Sequence, residues 1–225
     1  MKLHEPIPNF KPEEYPAGDI TQWFGDNPTL YKACCNLEAH NGWDIVRAHG
    51  TPILCVKQGK VVDVKEDVSG NGKHVRVLCE DNEWIYGHMS RIDVKLGEQI
   101  NAGHQIGLMG NTGFVVSDPT PYWKYNPYAG THLHLTRYPA DNSGTRFNRY
   151  YPSGDKTFIL NQDNGYRGAA DFSPVDFDIA NPVPVGTLKA SDQIALFAAK
   201  KQAEGLSVQA TQLFALAQFL KAFGY

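Results

Sequence analysis

The sequence predicts a mainly β fold, an antiparallel β-sheet domain with long aromatic loops, finished by two C-terminal α-helices. Three observations carry this: short apolar alternations separated by turn residues from Gly50 onward, closely spaced glycines between residues 91 and 113, and a switch to helical periodicity after Pro184. The 225 residues allow one large domain or two small ones, and a 42% apolar content supplies a substantial core. A formal charge of −3 and a pI near 6.2 provide no bulk positive field to hold a polyanion, so nucleic acid is not an expected partner. The sequence contains no apolar run of about 18 residues, so membrane insertion is not expected. The N-terminal stretch Met1 to Pro8 lacks the apolar centre of a signal peptide, which implies synthesis in the cytoplasm without a visible export address.

Residues 1–17 read as an N-terminal arm, 18–180 as the main domain, and 181–225 as a linker and helical tail. Five of the 14 prolines fall in the first 33 residues, where periodicity is weak. A strand is expected over Thr51 to Lys57, then a turn at Gln58 and Gly59, then a strand through Val61, Val62 and Val64. The turn Ser69, Gly70, Asn71, Gly72 leads into an alternating return over His74 to Glu80. After Asp81 and Asn82 the chain runs back over Glu83 to Met89, with Trp84 and Tyr86 on one face. Gly97, Gly103, Gly107, Gly110 and Gly113 suit brief strands joined by tight bends.

Seven of the 11 tyrosines lie between Tyr122 and Tyr166, in loops whose rings either meet a ligand or fold back over the sheet. In the tail, Ser191 or Asp192 caps a helix carrying Ile194, Phe197, Ala198 and Lys201, which Gly205 ends. A second helix from about Ser207 places Leu213, Leu216, Phe219, Leu220 and Phe223 on one stripe, to pack on the parent domain or on a protein partner. The cysteines Cys34, Cys35, Cys55 and Cys79 lack paired C-x-x-C spacing, and all four are expected to be free, with Cys55 and Cys79 buried in apolar runs.

Eight histidines are present, and spacing separates those with chemical promise from the rest. His132 and His134 flank Leu133 in an alternating segment, so both imidazoles face one side of a strand while Leu133 and Leu135 face the core. In His40-Asn41-Gly42-Trp43-Asp44 a histidine and a carboxylate four residues apart bracket a glycine that permits a tight turn. Two histidines and one aspartate fit a catalytic zinc site, which keeps three protein ligands and an open position. Tyr86-Gly87-His88-Met89 places a further histidine at a strand end. His4, His49, His74 and His104 are assigned no chemistry.

In this order the elements resemble the lysostaphin-like zinc endopeptidases of the M23 peptidase family, whose pattern is H-x-G-x-D, then Y-x-H, then G-x-H-x-H. Supporting segments match as well: Ile20 to Gly25, Gly50-Thr51-Pro52, Gly59 to Val62, Val94 to Gly97, Gly103 to Gly107 and Gly110 to Gly113. The resemblance spans about residues 18 to 138. It implies one Zn²⁺ per chain held by His40, Asp44 and His134, with His88 and His132 beside it as catalytic histidines that do not ligate. It leaves open which of the two is the general base. The implied activity is hydrolysis of peptide bonds in bacterial peptidoglycan, in stem peptides or cross-bridges, at the cell wall. With no signal peptide visible, a phage lysis or virion-associated enzyme is the favoured setting. The rivals are a non-catalytic structural or hydrolase-activating module of the same fold, and an intracellular zinc peptidase.

One departure from the pattern is the stretch 114–129 between the Gly110 to Gly113 turn and His132. A loop entering the strand that bears His132 emerges beside the metal, so Tyr122, Trp123, Tyr125 and Tyr128 are expected to bind substrate as groove walls or a lid.

Overall fold

The computed structural model describes residues 2–66, 69–115 and 128–178. The expected C-terminal helices, and Tyr122, Trp123 and Tyr125, lie outside the described residues. In chain order the elements are β1 (Leu3–His4), β2 (Ile20–Gln22), α1 (Pro28–Cys35), β3 (Trp43–Ile45), β4 (Pro52–Leu54), β5 (Gly59–Glu66) and β6 (Lys73–Leu78). They continue as β7 (Asn82–Gly87), β8 (Met89–Ile92), β9 (Gln99–Ile100), β10 (Gln105–Met109), β11 (Leu133–Asp141), β12 (Arg149–Tyr150), β13 (Lys156–Ile159) and β14 (Phe177–Asp178). The mainly β, antiparallel expectation holds among them. A nine-stranded antiparallel sheet runs β12-β13-β11-β7-β6-β5-β9, with β3 against β11 and β2 against β3. A smaller sheet runs β4-β10-β8, and β1 pairs with β14 in parallel.

The strand that organises the molecule is β11. Leu133 to Leu135 pair with β3, His134 to Pro139 pair with β7, and Ala140 and Asp141 pair with β13. Its period-two alternation sends Leu133 and Leu135 into the core and His134 and Tyr138 to an open cleft. The meander β5-β6-β7 continues the same logic, with Val61 opposite Val77 and Val77 opposite Trp84, all buried. Trp43 closes the other side of this core, stacked on Phe172 at 4.2 Å and edge-on to Trp23 at 4.9 Å.

The segment read as an arm packs into this core. Leu3, Ile7 and Phe10 are buried with it, and the Phe10 ring meets Phe177 edge-on at 5.5 Å. The strand expected over Thr51 to Lys57 is confined to β4 and belongs to the smaller sheet. The run expected over Glu83 to Met89 breaks at His88, whose φ is +59°, because the chain there leaves the large sheet for the small one. Helix α1 was not foreshadowed by periodicity; none of its residues is buried, so no apolar stripe marks it. Pro28 suits its first turn, and Asn36 in the left-handed region ends it.

The expectation of four free thiols needs correction. Cys34 and Cys35 are joined to each other, whereas Cys55 and Cys79 are free and buried as anticipated. Adjacent cysteines are not a disulfide framework in the usual sense, which is why spacing did not signal the bridge. Among the described residues no helix is long and apolar enough to cross a membrane.

Truncating Phe10, 1% exposed, tests whether the N-terminal segment is part of the core. Phe10→Ala is expected to lower unfolding stability by about 3 kcal/mol in urea titration, as for a buried aromatic elsewhere in a core.

Candidate metal centre

The register of β11 against β3 sets His134 directly opposite Asp44. His40 lies just upstream of β3, and its ring reaches the same point. His40 Nε2 is 3.1 Å from Asp44 Oδ1 and 3.1 Å from His134 Nδ1, and His134 Nδ1 is 2.9 Å from Asp44 Oδ1. The three donor atoms therefore form a nearly equilateral, buried triangle. A tetrahedral zinc ion with bonds of 2.0–2.2 Å holds its ligand atoms roughly 3.3 Å apart, so a slight spreading of the triangle seats the ion.

Each imidazole is oriented from behind. His40 Nδ1–H donates to the Trp23 carbonyl at 3.0 Å, which leaves Nε2 as a bare acceptor facing the triangle. His134 Nε2 lies 2.8 Å from Thr136 Oγ1, which takes its N–H and leaves Nδ1 bare. A carboxylate and two bare ring nitrogens within 3.1 Å of one another are reconciled by a cation among them. Gly42 makes the approach of β3 to β11 possible: a Cβ there would stand 2.5 Å from the Leu135 carbonyl oxygen and 2.9 Å from His134 Cε1. Close approach, rather than a turn conformation, is what requires glycine at this position.

The electrostatics suit a cationic guest. Burial disfavours charge on Asp44, but the neighbouring His40, His132 and His134 outweigh it and hold the carboxyl well below its usual range. Burial likewise works against charge on His40, yet Asp44 and the Trp23 carbonyl reverse the balance and raise its pKa. For His134 burial prevails and the pKa falls.

His88 and His132 stand beside the triangle, their ring centroids 4.6 Å apart. His88 Nδ1–H donates to the Thr112 carbonyl at 2.7 Å, and His132 Nδ1–H to the Gly130 carbonyl at 2.7 Å. Both rings thus keep Nε2 as an acceptor. His132 Nε2 is 3.6 Å from Asp44 Oδ1, and the His88 and His134 centroids are 5.9 Å apart. Burial, reinforced by His132 and His134, pushes the His88 pKa well below the ordinary histidine value.

The five polar residues singled out in the sequence, His40, Asp44, His88, His132 and His134, meet here; the His40 ring is sealed beneath the surface, while the other four line a cleft of about 560 Å³. Tyr128, exposed, stands edge-on to His49 at 5.1 Å in an adjoining recess that shares Val46, Gly130 and Thr131 with the cleft. Several cleft residues carried no signal in the sequence. Tyr31 lies over the His40 ring at 5.1 Å and donates to Gln22 Oε1 at 2.9 Å, and burial raises its pKa. Thr136 was detectable in principle, as the next residue on the histidine face of β11. The Trp23 and Thr112 carbonyls are backbone groups, which no motif names.

Residues 38–145 match the family model described as Peptidase family M23. The chain carries a peptidase family M23 domain. Its relatives include lysostaphin of Staphylococcus simulans, 28% identical over 157 residues that cover 59% of this chain and 31% of that protein. Another is peptidoglycan DD-endopeptidase ShyA of Vibrio cholerae, 33% identical over 99 residues, covering 43% of this chain and 23% of that protein. The matched part of the chain thus spans about a third or less of either relative's length. Among solved structures, the catalytic domain of the antimicrobial peptidase lysostaphin from S. simulans aligns with TM-score 0.47 and 22% identity, covering 70% of this chain and 90% of that one. The M23 match contains His40, Asp44, His88, His132 and His134.

Thr136→Val removes the hydroxyl that orients His134 while keeping its shape. Zinc affinity, measured by competition with a chromophoric chelator, is expected to fall about 10–100-fold with the circular dichroism spectrum unchanged.

Proposed function

We propose that this chain is a zinc-dependent endopeptidase that hydrolyses peptide bonds of bacterial peptidoglycan. The observation that carries the reading is the buried triangle of His40, Asp44 and His134 with two imidazoles, His88 and His132, opening onto one cleft. The M23 match and the relative named as a peptidoglycan endopeptidase support the substrate class. In this reading His40, Asp44 and His134 would hold one zinc ion beside the cleft. A zinc ion held there supplies Lewis acidity, drawing electron density from the scissile carbonyl and making water a stronger acid.

The chain's own residues handle the protons. His88 and His132 each spend Nδ1–H on a backbone carbonyl, so each is locked with Nε2 ready to accept. Burial keeps His88 neutral and accepting at rest. An imidazolium at His132 finds a counter-charge in Asp44 Oδ1 at 3.6 Å. The pair can therefore take a proton from the attacking water and deliver one to the departing amine, a division of labour that needs two such groups on one side of the bond. Asp44 serves the metal and balances charge in the same place.

The test is mass spectrometry of muropeptides released by the purified protein from walls of several chemotypes, with and without a chelator. Chelator-sensitive release of cleaved peptides is expected; release that survives removal of all metal would overturn the reading. Asp44→Ala is expected to lose both bound zinc and turnover. His132→Ala should retain zinc by elemental analysis and lose about 10² in kcat. Full zinc occupancy in the Asp44→Ala protein would refute the ligand set.

A further inference from the structure

The end of the cleft marked by Tyr138 is lined by three guanidinium groups, Arg76, Arg149 and Arg167, that come from three separate parts of the chain. Arg76 stands in the middle of β6, where the register Arg76–Ile85–Thr136 puts it on the same sheet face as His134 and Tyr138. Arg149 begins β12, its Cζ 4.8 Å from the Tyr138 ring centroid. Arg167 lies between β13 and β14 and lines the same cleft. All three act electrostatically on Tyr138, so the convergence does not depend on the outline of the cleft alone.

The local carboxylates do not balance these charges. Glu83 is fully buried; its Oε1 accepts from Arg76 Nη1 and Arg149 Nη1, each at 2.6 Å, and its Oε2 accepts from the Tyr151 hydroxyl. Asp63 approaches Arg76 Nε at 3.5 Å. Two carboxylates thus face three guanidiniums. Arg167 is exposed, its guanidinium donates to the Cys35 carbonyl at 2.7 Å, and no ion pair joins it to a carboxylate among the described residues. Each guanidinium carries five N–H donors in a planar fork, and the bonds named here occupy a minority of them. A purely structural role accounts for Arg76 or Arg149 against Glu83. For Arg167 it accounts for one donor, spent on the Cys35 carbonyl at the end of α1, and it leaves the partly exposed edges of Arg76 and Arg149 at the cleft, whose side chains are 21% exposed, without a partner role.

We propose that Arg76, Arg149 and Arg167 form a carboxylate-binding subsite at the Tyr138 end of the cleft, so that this protein selects peptides bearing a negative charge on one side of the bond it cleaves. The inference rests on the cleft being a peptide-hydrolase groove, as argued above, and it names which peptides that groove prefers. Tyr138 is four residues along β11 from His134, roughly 13 Å at the rise of a strand. An extended peptide covers that distance in about four residues. The recognised group is therefore an acidic side chain or a chain-terminal carboxylate about four residues from the scissile bond. An uncharged cross-bridge made of glycine alone offers no such group. Arg76 and Arg149 turn one N–H each onto Glu83 Oε1, and the donors that the three guanidiniums keep beyond the bonds named here are suited to carboxylate oxygens.

The test uses the full chain loaded with zinc and fluorescent glycine- and alanine-rich peptides in matched sets. One carries a glutamate and a free C-terminus, its twin replaces the glutamate by glutamine, and each is also made as the C-terminal carboxamide. Binding is read by fluorescence anisotropy at low and high salt, and cleavage of the same peptides by mass spectrometry. The carboxylate form is expected to bind at least about tenfold tighter than its neutral twin, with the advantage shrinking in high salt. Whether the glutamate or the terminus carries the advantage identifies the source of the carboxylate. Arg167→Gln, which leaves the Glu83 pairing intact, should erase most of the preference. Arg146→Gln, at an exposed arginine over Phe158 outside the cleft, should keep it. Equal binding of acidic and neutral twins, or a preference unchanged in Arg167→Gln, overturns the subsite. Equal cleavage of both twins removes the subsite and leaves the peptidase reading standing. Charge-selective binding with no cleavage of either twin keeps the anion site and removes the peptidase reading.

Discussion

A buried carboxylate is the constraint around which the rest is arranged. Asp44 Oδ1 lies within 3.6 Å of nitrogen atoms from three histidines, and the oxygen is held there by strand register rather than by a flexible loop. An isolated ionised carboxylate in such a position is costly to desolvate, so partners must be supplied in fixed geometry. β11 supplies one in His134, and the residue just before the strand, His132, supplies another from two residues away. The segment before β3 supplies the third, and the close approach at Gly42 lets the two strands meet without an intervening side chain. Were the register of β11 to slip by one residue, His134 would exchange places with a core leucine and leave Asp44.

The supports behind the histidines are mostly main-chain carbonyls: Trp23 for His40, Thr112 for His88 and Gly130 for His132. Backbone acceptors cannot change rotamer, which makes ring orientation a property of the fold itself. It also explains why the site draws on so many segments. The loop before α1, the turn that follows β10 and the residues entering β11 each contribute one carbonyl, and each is tied to one of the two sheets. Rigidity at the metal centre is thus inherited from the sheets.

The sequence made the β framework legible wherever alternation and turns coincided, as in β5, β6 and β7. The five polar site positions were legible through the order H-x-G-x-D, Y-x-H, G-x-H-x-H, which resembles the M23 pattern; an H-x-H pair on a strand is a weak signal by itself. Three kinds of feature escaped. Helix α1 buries none of its residues and so has no periodic signature. The break at His88 depends on which sheet the chain joins next, a tertiary choice that local propensity does not encode. The arginines at the Tyr138 end are far apart in sequence, and nothing but folding shows that residues 76, 149 and 167 share a wall. Gly42 was noticed for a conformational reason and turns out to matter for a packing one.

His88 occupies the left-handed region at a point where glycine would sit without strain, and an L-residue there costs about 1 kcal/mol. The chain tolerates that cost at the one junction where β7 passes to β8, and the side chain it keeps there faces the cleft. The position is therefore one at which foldability and chemistry pull in opposite directions. Selection for thermal resilience alone would drift it toward glycine, and a stabilised variant obtained that way would fold well while lacking the imidazole to which the proposed function gives proton transfer. Engineering of this scaffold for endurance has to exempt that junction and seek its gains on the opposite side of the sheets.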